Sequence, residues 1–95
     1  EAGTEIGRLE FICNYLSSPG AVAESVTLYC AEINSQHIAG LHGKADEHED
    51  IKLHLLTAET AIAGLRQNYY GNAVTIIALQ WLALNRPWLQ EKWRV

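Results

Sequence analysis

The 95-residue sequence contains no methionine; with no initiator among its residues, it reads either as a chain trimmed at its start or as one that begins inside a longer gene. Cysteine is nearly as scarce. Cys13 and Cys30 are the only two, fewer than a small secreted scaffold held by disulfides would carry. They read as buried thiols in a reducing cytosol. The alternatives are a disulfide, if residues 8–33 form a hairpin that brings the two together, and a metal or redox role. Basic residues number 7 against 11 acidic ones, giving a net charge of −4, and they are scattered. A nucleic-acid backbone calls for a basic stripe and a membrane surface for a polybasic anchor, so neither partner is expected. No signal peptide is visible, and the most apolar segment, residues 73–84, is too short to span a bilayer. A cytoplasmic location is the expectation. Internal repeats and low-complexity linkers are also missing.

What is present is apolar. Hydrophobic residues make up 48% of the chain, well above a disordered composition. Its length suggests one small domain over residues 1–95, or part of a larger one. A chain this short buries roughly 60–70% of its unfolded surface, so its margin of stability is thin.

Residues 8–16 read as a strand with Leu9, Phe11, Cys13 and Tyr15 on one face. The sequence Ser17-Ser18-Pro19-Gly20 breaks it, because proline fixes φ and glycine permits positive φ. Residues 24–33 read as the returning strand, with Val26, Leu28 and Cys30 on one face and Thr27, Tyr29, Ala31 and Ile33 on the other. Two largely apolar faces predict a sheet covered on both sides. A polar loop over 34–50 precedes a further strand at Ile51 to Leu56. Thr57 is placed to cap a helix whose inner face is Ala58, Ala61, Ile62 and Leu65 and which ends near Gln67. Asn72 is placed to cap a second helix over about 73–85, apolar almost all round and so expected to be buried on more than one side. Pro87 should break it after Arg86, leaving Trp88 to Val95 as a last helical turn or a docking tail.

The acidic loop carries the most chemistry. Asp46, Glu47, Glu49 and Asp50 place four carboxylates in five residues. Such neighbours repel and raise one another's pKa, and a hard divalent cation such as Mg²⁺ or Mn²⁺ would relieve the repulsion. A carboxylate there would orient or deprotonate an attacking water. The alternative is a solvated acidic loop flanked by Lys44 and Lys52. The spacing is not that of an EF-hand. His37, His42, His48 and His54 include no pair at zincin spacing, Ser17 and Ser18 lack the context of a nucleophile elbow, and Trp81, Trp88 and Trp93 read as packing residues.

Three blocks resemble the ADP-ribose pyrophosphatase branch of the Nudix hydrolases. They are Tyr15-Leu16-Ser17-Ser18-Pro19-Gly20 with Glu24 following, Gly40-Leu41-His42-Gly43-Lys44-Ala45-Asp46-Glu47-His48-Glu49-Asp50-Ile51, and Asn72-Ala73 through Ile77-Ala78-Leu79-Gln80-Trp81-Leu82. The match is to the family's C-terminal half. The resemblance implies an α/β fold, a partial Nudix-type sandwich of about three or more strands followed by two C-terminal helices. It also implies roles. Glu47 would be the catalytic residue that activates water. Glu49 would ligate the metal, with Glu1 as a leftover ligand of the Nudix box. Ser18, Pro19 and Gly20 would shape the substrate turn, and Glu24 would lie near the substrate's sugar.

The sequence departs from the family at the box itself. Glu1-Ala2-Gly3 matches only its last Glu-x-Gly, Thr4 stands where an aliphatic residue is usual, and the other box glutamates and the arginine are missing from these 95 residues. Three functions follow as alternatives. The first is a truncated Nudix-like domain without catalysis of its own, paired as a homodimer. The second is an active Mg²⁺- or Mn²⁺-dependent ADP-ribose diphosphatase, as part of a longer or assembled protein. The third is a non-catalytic binder of ADP-ribose or a related nucleotide sugar that keeps the Ser-Pro-Gly turn and Glu24.

Overall fold

A computed structural model of the chain describes residues 6–18, 20, 24–33 and 54–94. Within them lie two strands, β1 (Ile6–Leu16) and β2 (Ser25–Ile33), followed by two helices, α1 (Ala58–Arg66) and α2 (Ala73–Lys92). The α/β order of strands and then two helices is the one the sequence implies. For the strand expected at 51–56, residues 51–53 lie outside the described residues, and His54 to Leu56 carry no regular structure.

The two strands form an antiparallel hairpin in which Leu9 pairs with Ala31, Phe11 with Tyr29, Cys13 with Leu28 and Leu16 with Ser25. The register shifts between Phe11 and Cys13, so Ile12 is an extra residue on β1. An inserted residue reverses the alternation beyond it. The face expected to carry Leu9, Phe11, Cys13 and Tyr15 is therefore split. Leu9 and Phe11 are exposed, whereas Cys13 and Tyr15 are half-buried.

Nor are both faces covered among the described residues. Val26, Leu28, Cys30 and Glu32 alternate as half-buried with exposed Thr27, Tyr29, Ala31 and Ile33. Phe11 is 54% exposed and Tyr29 55% exposed. Their rings meet edge-on across the ladder at 5.9 Å, which holds the outer face together without covering it.

Local chemistry starts both helices as expected. The Thr57 hydroxyl accepts from the Thr60 amide at 3.1 Å, and the Asn72 side-chain oxygen accepts from the Thr75 amide at 2.8 Å. Ala58, Ala61, Ile62 and Leu65 form the half-buried face of α1. The chain leaves α1 through Asn68 at φ 55°, a left-handed position that asparagine tolerates. It then folds Tyr70 back over Gly64, where the phenol hydroxyl donates to the Ala61 carbonyl at 2.6 Å. Gly64 is buried, and a Cβ there would stand 2.8 Å from the Tyr70 oxygen and 2.9 Å from its ring.

Helix α2 departs from expectation twice. It passes through Pro87 and continues to Lys92. Proline removes the amide that would serve the Ala83 carbonyl, but Ala83 and Leu84 face solvent, Leu84 being 83% exposed, so water can serve that carbonyl instead. Beyond the proline the last turn is tied down by tertiary contacts. Leu89 is 6% exposed, Lys92 pairs with Glu10 at 2.9 Å, and the Trp93 carbonyl accepts from the Arg8 guanidinium at 2.8 Å. Those contacts outweigh the break, and the segment expected as a last helical turn or a docking tail continues the helix as far as Lys92. The second departure is burial. Residues 75–79, Trp81 and Leu82 are only half-buried, and Leu89 is the one buried position of the helix. Helix α2 packs on α1, where Arg86 and Glu59 pair at 3.0 Å, and on β2.

Candidate functional site

At the turn end of the hairpin the ladder runs one residue past the strands, as the Ser17 amide donates to the Glu24 carbonyl at 3.0 Å. The Ser17 hydroxyl donates to the Glu24 carboxylate at 3.1 Å. Gly20 sits at φ 99°, a left-handed conformation costly for any residue with a Cβ. On the strand side of the turn, the Asn14 amide donates to Ser25 Oγ at 3.0 Å, the Val26 carbonyl at 3.2 Å and Thr27 Oγ1 at 2.7 Å. Its two hydrogens are shared among three acceptors, so both strand ends are fixed as they enter the turn.

Of the residues expected to meet substrate, Ser18, Gly20 and Glu24 are described, all exposed. Pro19 lies outside the described residues, as do the expected catalytic Glu47 and the expected metal ligands Glu49 and Glu1. Among the described residues no three His, Cys, Asp or Glu side chains gather as a metal site. The acidic loop's four carboxylates are nonetheless the hard oxygen donors that Mg²⁺ takes.

Two features were not singled out from the sequence. One is the Ser17 tie to Glu24, a hydroxyl and a carboxylate seven residues apart that face each other once the hairpin register is known. The other is the ionic cluster at the opposite end. Arg8 grips Glu32 with two parallel bonds, Nε to Oε1 at 2.8 Å and a terminal nitrogen to Oε2 at 2.6 Å, and its backbone amide donates to Oε1 at 3.1 Å. These bonds, the guanidinium first, hold the Glu32 carboxyl at about 2, well below its usual 4.5, and Glu32 in turn raises the Arg8 pKa. The guanidinium also lies 5.7 Å from the Trp93 ring centre.

The cysteines are free. Cys13 lies opposite Leu28 and Cys30 opposite Glu10, so they do not pair across the ladder. Burial, and then the Glu10 charge, push the Cys30 thiol upward, which disfavours the reactive thiolate. Among the described residues no helix is long and apolar enough to cross a membrane.

No family model matches the chain. Comparison with curated proteins does return relatives. An ADP-ribose pyrophosphatase of Haemophilus influenzae is 36% identical over 94 residues, 99% of this chain and 43% of the relative. That of Escherichia coli K12 is 36% identical over 93 residues, 98% of this chain and 44% of the relative. A methanol dehydrogenase activator of Bacillus methanolicus is 31% identical over 86 residues, 88% of this chain and 44% of the relative. The chain is thus similar, over nearly all of its residues, to a segment spanning slightly under half the length of the ADP-ribose pyrophosphatases, the same likeness that its three motif blocks carry.

Proposed function

We propose that residues 1–95 act as one Nudix-like domain that supplies the sugar-side turn and the acidic loop of an ADP-ribose site, and that these residues alone do not hydrolyse ADP-ribose. The turn carries this reading. Gly20 takes a left-handed conformation, Glu24 is tied to Ser17, and Ser18, Gly20 and Glu24 are all exposed. The likeness to ADP-ribose pyrophosphatases supports the choice of ligand.

Glu47 would orient the attacking water, and Glu49, with Glu1, would hold Mg²⁺ or Mn²⁺. When bound, the cation would neutralise phosphate charge and favour ionisation of the water. Mg²⁺ keeps its own waters unless a site is well organised, and so short a ligand set would hold it weakly. The expected outcome is therefore little or no turnover by these residues, and strong turnover when a longer or paired chain supplies the remaining box glutamates.

The outer hairpin face supports self-association. Leu9, Phe11, Tyr29 and Ile33 are exposed together there, and a second copy would cover them. The free cysteines suit a cytoplasmic location. A non-catalytic binder of ADP-ribose or a related nucleotide sugar is a second reading, favoured by a turn in which Glu24 is already tied to Ser17.

The deciding experiment measures AMP release from ADP-ribose by the purified chain with Mg²⁺, beside Glu47→Gln, with light scattering on the same samples. No turnover from a folded, dimeric chain is expected. Turnover abolished by Glu47→Gln would overturn the non-catalytic reading, and a monomer at high concentration would overturn the self-association.

A further inference from the structure

An exposed glutamate has three side-chain torsions to order before it can meet a ligand, and freezing them costs affinity. Glu24 is spared much of that cost by a residue across the mouth of the turn. Ser17 holds it twice, amide to carbonyl at 3.0 Å and hydroxyl to carboxylate at 3.1 Å. The hydroxyl of the next residue, Ser25, accepts from the Asn14 amide at 3.0 Å, which ties the start of β2 directly after Glu24 to β1.

We infer that Ser17 is a positioning residue for Glu24, prearranging its carboxylate for the paired hydroxyls of a sugar, an inference that rests on the sugar-side reading of the turn. An ionised carboxylate accepts about four hydrogen bonds, so the one from Ser17 orients the group without exhausting it. A vicinal diol offers two donors on one side, which a carboxylate of fixed orientation meets without further ordering. The neighbouring Ser18 hydroxyl is exposed in the same turn and is chemically able to serve the same sugar.

The test compares the unaltered chain with Ser17→Ala and Ser17→Thr by NMR and calorimetry, with ADP-ribose as the probe. Side-chain couplings of Glu24 report its rotamer. Contacts between the Phe11 and Tyr29 rings report whether the hairpin is intact. Ser17→Ala should leave those ring contacts in place, average the Glu24 couplings, and weaken ADP-ribose binding about threefold to tenfold, the factor such a hydrogen bond carries. Ser17→Thr keeps the hydroxyl and should restore both readouts. Glu24 couplings that do not respond to Ser17→Ala in an intact hairpin would overturn the positioning role, as would weakened binding that threonine does not rescue. Failure of the unaltered chain to bind ADP-ribose, with Glu24 still released by Ser17→Ala, would uphold the positioning and sink the sugar-side reading instead.

Discussion

Alanine in place of Gly64 tests whether Tyr70, rather than helix propensity, dictates that position. In an ordinary helix interior the change stabilises by about 1 kcal/mol, because glycine is the more flexible residue. Here the new methyl would stand 2.8 Å from the Tyr70 hydroxyl oxygen and 2.9 Å from its ring, closer than such atoms pack. The ring must swing away. It then gives up the 2.6 Å hydrogen bond to the Ala61 carbonyl, worth about 1 kcal/mol. It also gives up its edge-on packing with Tyr69 at 5.3 Å, worth about another 1 kcal/mol. Set against the propensity gain, Gly64→Ala should destabilise by about 1 kcal/mol, a fall in Tm of roughly 4–8 °C for a domain this size. In a Tyr70→Ala background the clash is gone, and the same change should stabilise by about 1 kcal/mol. Urea titrations of the four proteins followed by circular dichroism give both numbers. The reasoning is refuted if Gly64→Ala stabilises equally in both backgrounds.

Two further outcomes follow from the ends of the hairpin and of α2. The Glu32 carboxyl titrates at about 2 when folded against 4.5 ordinarily, so the unfolded chain binds its proton first. Its contribution to stability is complete above the unfolded value and is lost as pH falls from there through about 2. Acid titration of stability should therefore show a loss below pH 4.5 that Glu32→Gln flattens, and an unchanged slope in that variant would count against the Arg8 grip. Pro87→Ala returns an amide to the Ala83 carbonyl within α2. After allowing for the stiffness that proline lends the unfolded chain, a gain of about 2 kcal/mol in urea stability is expected. No gain would mean that water already serves that carbonyl without cost.

The parts of the fold that were legible in the sequence are those set by near neighbours. Thr57 and Asn72 cap helices because a short oxygen-bearing side chain satisfies an amide three residues on, wherever the chain goes next. Gly20 marked the turn because few other residues reach φ 99°. The extra residue at Ile12 left no such mark. Nothing about an isoleucine between Phe11 and Cys13 announces a bulge, and only pairing with β2 reveals it. The site divides in the same way. Ser18, Gly20 and Glu24 were singled out by motifs that resemble those of a known family, and the structure describes them as exposed at the turn. Ser17 was passed over because its partner depends on the register across the turn.

The error over which hairpin face is covered has one physical root. Apolar content suggested cover for both faces, yet the half-buried face is the one that carries Arg8, Glu10 and Glu32, and the exposed face carries Leu9, Phe11 and Tyr29. Charge does not by itself mark a solvent face when its partners arrive from elsewhere in the chain. Arg8 and Glu32 satisfy each other across the hairpin, while Lys92 for Glu10 and the Trp93 carbonyl for Arg8 come from the end of α2 beyond Pro87. The same docking that carries the helix past its proline therefore chooses the face of the hairpin to be covered. It leaves Leu9, Phe11, Tyr29 and Ile33 outward, which is why a second copy of the chain, rather than solvent, is the proposed neighbour of Phe11 and Tyr29.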